Sequence, residues 1–164
     1  NASGLMVTHD PEEAMSICDK VAVMNDGRIH QIDTPINLLN NPKTIFVSSF
    51  ILGNNIVNLK KNGNSYISCL GEINCSEYSK NTGIKSMSIS PKFISIKRSE
   101  SGDAIVISKE FLGEFLIYKV SINGNILRVR TDINNLLNNG DKCSLSINKN
   151  SYYFLYPGAY KEYI

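Results

Sequence analysis

The chain has 164 residues, 42% of them hydrophobic and 20% charged, with a formal net charge of +2. That is enough apolar material for a packed core. Its longest uncharged apolar runs, such as Thr44 to Leu52, fall well short of the roughly 20 residues a membrane-crossing helix needs. Lys60-Lys61 and Lys97-Arg98 are the densest basic spots, too sparse for a surface that neutralises a row of nucleic-acid phosphates. No basic stretch followed by an apolar one opens the chain, so no secretory leader is expected.

Two regions with different patterning follow one another. Leu5-Met6-Val7-Thr8 is almost wholly apolar, which predicts a strand buried on both faces in a parallel sheet. It stops at His9-Asp10. Asp10 suits a helix N-cap, Pro11 the first helical position, and Glu13 has capping-box spacing, so a helix is predicted over about Pro11 to Cys18. Val21–Met24 and Arg28–Ile32 flank Asn25-Asp26-Gly27, a hairpin signal because those turn residues tolerate positive φ. Thr34-Pro35 starts a short helix ending near Asn40-Asn41, and Pro42 opens another from about Lys43 to Ile51. Gly53-Asn54-Asn55 breaks the chain.

Beyond that break, short β-type runs recur every 8–12 residues or so. They are Ile56–Leu59, Ser65–Leu70, Glu72–Cys75, Lys85–Ser90, Phe93–Lys97, Ala104–Phe111, Phe115–Ile122, Ile126–Thr131, Lys142–Ile147 and Tyr152–Tyr156. Turn clusters separate them, at Asn62-Gly63-Asn64, Asn81-Thr82-Gly83, Ser101-Gly102-Asp103, Asn123-Gly124-Asn125 and Asn139-Gly140-Asp141. Asn134–Asn138 reads as a helical turn. The spacing is that of a sandwich or small barrel. The fold class is therefore mainly β, α+β overall, with residues 1–52 as a short α/β region and 53–164 as a β sandwich or small barrel.

Cys18, Cys69, Cys75 and Cys143 contain no Cys-x-x-Cys pair and have no His at ligand spacing, so no zinc site is expected and the thiols read as reduced and partly buried. His30 lies among polar neighbours and reads as a solvated side chain. Glu12 and Glu13 fall in a helix's first turn, where the dipole favours negative charge, so capping accounts for them better than acid–base chemistry. Tyr152, Tyr153, Phe154, Tyr156, Tyr160 and Tyr163 read as core or subunit packing rather than a base-stacking platform, because few cations accompany them. His9 differs from all of these. It stands at the carboxyl end of a predicted buried strand, where open α/β sheets bind ligands, and a neutral imidazole can hydrogen-bond a phosphate or an attacking water near pH 7.

Three strings carry a resemblance: Val7-Thr8-His9-Asp10-Pro11-Glu12-Glu13-Ala14-Met15, Asp19-Lys20-Val21-Ala22-Val23-Met24-Asn25-Asp26-Gly27-Arg28-Ile29, and Gln31-Ile32-Asp33-Thr34-Pro35. In unbroken order they resemble the switch-histidine region (H-loop) of ABC transporter ATPases, more narrowly the ATP-binding subunits of importers for maltose, polyamines, iron and sulfate. Asn41-Pro42, Phe46-Val47, Phe50-Ile51 and Gly53-Asn54-Asn55 resemble that family's exit segment, with Leu52 as an extra residue. The β region (53–164), with Phe111-Leu112-Gly113 and Tyr118-Lys119-Val120, resembles the appended TOBE domain, which implies an OB-like β-barrel or sandwich, although Ser90-Pro91-Lys92 stands where relatives often carry Arg-Pro-Glu.

The resemblance implies that His9 contacts the γ-phosphate of ATP and the attacking water across an ATPase dimer. It implies ATP and Mg²⁺ as cofactors of a full-length protein, with a second ATPase subunit and the transporter's membrane subunits as partners. A small-molecule or protein regulator at the β domain is a further implied partner; nucleic acid is not one. The implied location is cytoplasmic, peripheral on the inner face of the membrane. The sequence has no Gly-x-x-x-x-Gly-Lys-[Ser/Thr] phosphate loop, no Leu-Ser-Gly-Gly-Gln-type signature and no apolar run ending in Asp-Glu. Phosphoryl transfer needs a phosphate cradle, a Mg²⁺ ligand and a water-orienting group. This stretch alone is therefore expected to be catalytically inert, a regulatory and dimerisation portion of the ATP-hydrolysing subunit. The alternative is that the β region is an independent OB-like module for a small anion or nucleic acid.

Overall fold

The computed structural model describes residues 3–74, 83–148, 151 and 153–157. They fall into two compact units that meet in the chain at Gly53/Asn54; each is taken by itself.

In the first unit, helix α1 (Pro11–Ile17) is followed by strands β1 (Val21–Asn25) and β2 (Arg28–Asp33), then helices α2 (Pro35–Asn40) and α3 (Ile45–Leu52). β1 and β2 form the predicted antiparallel hairpin, with Asn25 opposite Arg28. Its turn residues Asp26 and Gly27 have φ of 48° and 73°, the double left-handed geometry that matches strand twist. One face buries Val23 and Gln31 as a cross-strand pair, and Val23 joins Leu38 and Val47 in a small core completed by Met15, Val21, Phe46 and Ile51. Gln31 fixes the α2–α3 connection from inside the fold: its Nε2 donates to the Asn41 carbonyl at 3.1 Å, and its Oε1 accepts from the Lys43 N–H at 2.9 Å. α3 begins at Ile45 rather than Lys43 because Thr44, not Pro42, is its N-cap, with the hydroxyl accepting from the Val47 N–H at 3.2 Å. Gly53 ends α3 in the left-handed conformation at φ 61°, which a residue with a Cβ resists.

The strand expected at Leu5–Thr8 does not form. Those residues have no regular structure, and Leu5 and Val7 are 94% and 90% exposed. A strand is completed by its neighbour's N–H and C=O groups, and no strand pairs with this stretch among the described residues.

The second unit is built of antiparallel strands, mainly β as the turn spacing predicts and consistent with the OB-like fold that the resemblance implies. Strands β3 (Asn55–Asn58), β4 (Lys60–Asn62), β5 (Ser65–Ser68), β6 (Gly71–Asn74) and β7 (Ser86–Ile89) precede a 3₁₀ turn at Pro91–Phe93. Then come β8 (Ile94–Arg98), β9 (Ala104–Phe111), β10 (Phe115–Ile122), β11 (Asn125–Asp132), β12 (Lys142–Ile147) and β13 (Tyr153–Tyr156). They make a five-stranded sheet in the order β11-β10-β9-β12-β8 and two three-stranded sheets, β13-β7-β3 and β4-β5-β6. β4 was not expected; Lys60, Lys61 and Asn62 are exposed polar residues with no apolar alternation, and only pairing with β5 makes them a strand. Cys75, the end of the predicted Glu72–Cys75 run, the turn residues Asn81-Thr82, and the aromatics Tyr152, Tyr160 and Tyr163 lie outside the described residues.

Alternation along β9, β10 and β11 puts Ala104, Val106, Leu116, Tyr118, Val120, Leu127 and Val129 into one core with Val57, Met87, Ile89, Ile94 and Ile96. The predicted helical turn at Asn134–Asn138 is absent. Asp132 instead holds a tight turn, its Oδ1 accepting from the Asn134 N–H at 2.8 Å and its carbonyl accepting from the Asn135 N–H at 3.1 Å. Side-chain capping of this kind competes with helix formation. Beyond the turn the chain is a strap that buries Leu137 and is tied to Tyr118.

Candidate functional site

His9 sits in a locally determined frame. The Thr8 hydroxyl accepts from the Asp10 N–H at 3.1 Å, and Asp10 Oδ1 accepts from the N–H groups of Glu12 and Glu13 at 2.9 and 3.2 Å. Asp10 is thus the N-cap the sequence predicts. The capping box is not closed: Thr8, not Glu13, takes the Asp10 N–H, while Glu12 and Glu13 remain exposed in the first turn. Both neighbours of His9 turn their side chains onto the backbone, and the imidazole between them is exposed.

The cofactors implied by resemblance do not fit these residues on their own. A nucleotide phosphate seeks unpaired backbone N–H groups and fixed cations. Here the N–H groups of Asp10, Glu12 and Glu13 are already engaged by Thr8 and Asp10. Among the described residues no cluster of three or more His, Cys, Asp or Glu is placed to hold a metal ion. No catalytic step through ATP is therefore derived from this geometry.

The second histidine is a correction. His30 is half-buried, not solvated: its Nδ1 lies 3.2 Å from the Thr44 hydroxyl and its ring 4.9 Å from that of Phe46, tilted by 44°. Its Nε2 is buried without a hydrogen-bond partner among the described residues. Phe46 in turn stacks on Phe50, with centroids 5.3 Å apart. Polar neighbours in sequence gave no sign of this, because Thr44 and Phe46 arrive from α3. Of the cysteines, Cys18 and Cys69 are half-buried and Cys143 is buried. Burial pushes the Cys69 thiol up, and burial followed by the charge of Asp141 does the same to Cys143, which leaves both poor nucleophiles.

Comparison with known proteins bears on part of the chain. A 63-residue stretch, 38% of this chain, is 56% identical to the spermidine/putrescine import ATP-binding protein PotA of Bacillus thuringiensis (strain Al Hakam). Proteins of the same name from Desulfitobacterium hafniense (strain Y51) and Trichormus variabilis are 51% identical over 53 residues and 54% identical over 52. Over this stretch the chain is similar to ABC importer ATP-binding subunits. The likeness bears out the resemblance to the ATP-binding subunits of ABC importers. The matched stretch spans 18%, 15% and 14% of the three relatives' lengths and about a third of this chain. No family model matches the chain, and none of its described helices is long and apolar enough to cross a membrane.

Proposed function

We propose that this chain is a portion of the ATP-hydrolysing subunit of an ABC importer, in which residues 1–52 belong to the nucleotide-binding domain and 53–164 to a TOBE-type regulatory domain. The observation that carries the reading is the 56% identity to an import ATP-binding protein over 63 residues, together with an exposed His9 framed by Thr8 and Asp10. In the full-length subunit His9 is the switch histidine, facing the γ-phosphate of Mg²⁺-bound ATP held by a cradle that these residues do not supply. Its partners are a second ATPase subunit and the transporter's membrane subunits, which hold it at the cytoplasmic face of the membrane. The β unit contributes to dimerisation and takes a regulator. A polyamine is the substrate class that the relatives' names favour.

The test has two arms. This chain alone is expected to show no ATP turnover and no ATP affinity tighter than about millimolar, because no phosphate loop is present. In the full-length subunit that carries this sequence, His9→Ala is expected to leave ATP binding nearly intact and lower turnover by about 10²-fold, as for a group that acts on the transition state. Near-normal turnover in that variant overturns the role of His9.

A further inference from the structure

We infer that the open groove beside the β10–β11 pair is a binding site for a small zwitterion, a molecule that carries an ammonium and a carboxylate on a short backbone. The groove is lined by Lys92, Glu114, Phe115, Arg130, Thr131 and Asp132. Strand register explains why these residues meet. Phe115 stands opposite Asp132 and Ile117 opposite Arg130, so the side chains of Phe115, Arg130 and Asp132 share the outer face of the sheet. Glu114 comes from the turn just before β10, and Lys92 from the 3₁₀ turn before β8.

Two cations and two carboxylates therefore line one groove, and none of the four is paired with another. The ion pairs among the described residues are Arg98–Asp141 and Lys119–Glu110. Each cation rests instead on an aromatic ring. The Arg130 guanidinium carbon lies 3.7 Å from the centre of the Phe115 ring, and Lys92 Nζ lies 5.1 Å from that of Phe93. The Phe115 contact restrains the guanidinium, and its fork of N–H donors suits a carboxylate's two oxygens. Asp132 is fixed as well, since its Oδ1 accepts from both the N–H and the Nδ2 of Asn134. Glu114 is exposed, and its carboxylate forms no ion pair among the described residues.

The balance of charge selects the ligand. A lone anion gains from Lys92 and Arg130 but is repelled by Glu114 and Asp132, and a lone cation meets the reverse. A ligand that carries both signs satisfies both pairs, and the like-sign contacts disfavour the single-charge competitors. This inference deepens the reading of the β unit as one that takes a regulator, and rests on it for the biological use alone. Binding is measured on this chain without ATP, so its failure and that of the transporter reading are distinct.

The experiment is calorimetric titration of the chain at low salt with glycine and β-alanine, against acetate, methylammonium and inorganic phosphate. At least one zwitterion is expected to saturate with a millimolar or tighter dissociation constant, about tenfold tighter than acetate or methylammonium, the scale of one interaction of about 1.4 kcal/mol. Arg130→Gln and Asp132→Asn should each weaken it about tenfold, with circular dichroism unchanged because both side chains are exposed. Lys97→Gln, which does not line the groove, should bind as the parent does. The inference is overturned if neither zwitterion saturates, if acetate, methylammonium or phosphate binds as tightly, or if Arg130→Gln is without effect.

Discussion

The side chain of Asn55 forms a two-way bridge to the backbone of Arg128: its Oδ1 accepts from the Arg128 N–H at 2.7 Å and its Nδ2 donates to the Arg128 carbonyl at 2.8 Å. Arg128 stands opposite Lys119 in the β10–β11 ladder, and because its own N–H and C=O are given to Asn55 they face away from β10. Asn55, which pairs through its backbone with Ile89 of β7, thus serves as one rung of a missing strand and joins the β13-β7-β3 sheet to the edge of the five-stranded one. Asn55→Ala is expected to lower stability by about 2–4 kcal/mol, since it leaves an edge donor and acceptor unsatisfied. Asn55→Asp should cost nearly as much, because a carboxylate cannot donate to the carbonyl. Urea unfolding of the two variants checks both.

Tyr118 is the corresponding tie for the strap. Its hydroxyl donates to the Asn135 carbonyl at 2.6 Å and accepts from the Leu137 N–H at 3.0 Å, inside a fully buried ring environment. Tyr118→Phe keeps the ring and removes only the oxygen. The expected loss is about 1–3 kcal/mol, the desolvation cost of the groups left unpaired. Hydrogen exchange should show the Leu137 amide losing protection more than the amides of β10.

Gly102 has no room for a methyl group. A Cβ there would lie 2.1 Å from the Cys143 carbonyl oxygen and 2.4 Å from its carbon, both backbone atoms that cannot rotate aside. Gly102→Ala should cost about 1–3 kcal/mol by overpacking. Gly124, by contrast, has open space but a φ of 75°, so Gly124→Ala should cost only about 1 kcal/mol of backbone strain. Thermal midpoints of the pair, measured side by side, separate the two causes.

Asp33 gives the first unit an acid-sensitive contact. The Asn37 side-chain amide, donating at 2.8 Å, and then the Thr34 N–H at 3.0 Å hold its carboxyl below the usual carboxylate range. A carboxyl lowered on folding contributes stability that is present above its unfolded pKa, about 3.9, and is lost as pH falls through the folded value. Stability of the first unit should therefore decline below about pH 4. Asp33→Asn should lower neutral-pH stability toward the parent's acid value and flatten that decline, as followed by unfolding midpoints between neutral and strongly acidic buffers.

The first unit also leaves apolar surface uncovered: Leu5 and Val7, and on the hairpin Met24, Ile29 and Ile32, each more than half exposed. Apolar backbone that lacks a neighbour tends to pair or pack with another copy. Light scattering of the chain should show mass rising with concentration, and Leu5→Ser with Val7→Ser should reduce the rise. A chain that stays monomeric across the range counts against self-association through this stretch.

Local chemistry was legible in the residues themselves. Asp10 and Pro11 announced a capped helix, Asp26-Gly27 a tight hairpin, and Gly63, Gly124 and Gly140 turns whose φ values of 59°, 75° and 89° need no Cβ. These features are decided within four or five residues, by a side chain that reaches its own backbone or by a dihedral only glycine adopts easily. The strings around His9 likewise carried the likeness to importer ATPases without any geometry.

Other features were set by partners far along the chain. Leu5–Thr8 has the composition of a strand and yet forms none, because composition supplies no neighbouring strand. Lys60–Asn62 lacks that composition and forms one, because β5 pairs with it. His30 is half-buried by Thr44 and Phe46, Asn55 is joined to Arg128 73 positions away, and the charges of the zwitterion groove come from three separate segments. The sequence alone therefore determined caps, turns, strand alternation and the family likeness. Only the tertiary structure decided which N–H, C=O and charge met which, because a hydrogen bond or ion pair exists only when two surfaces arrive together.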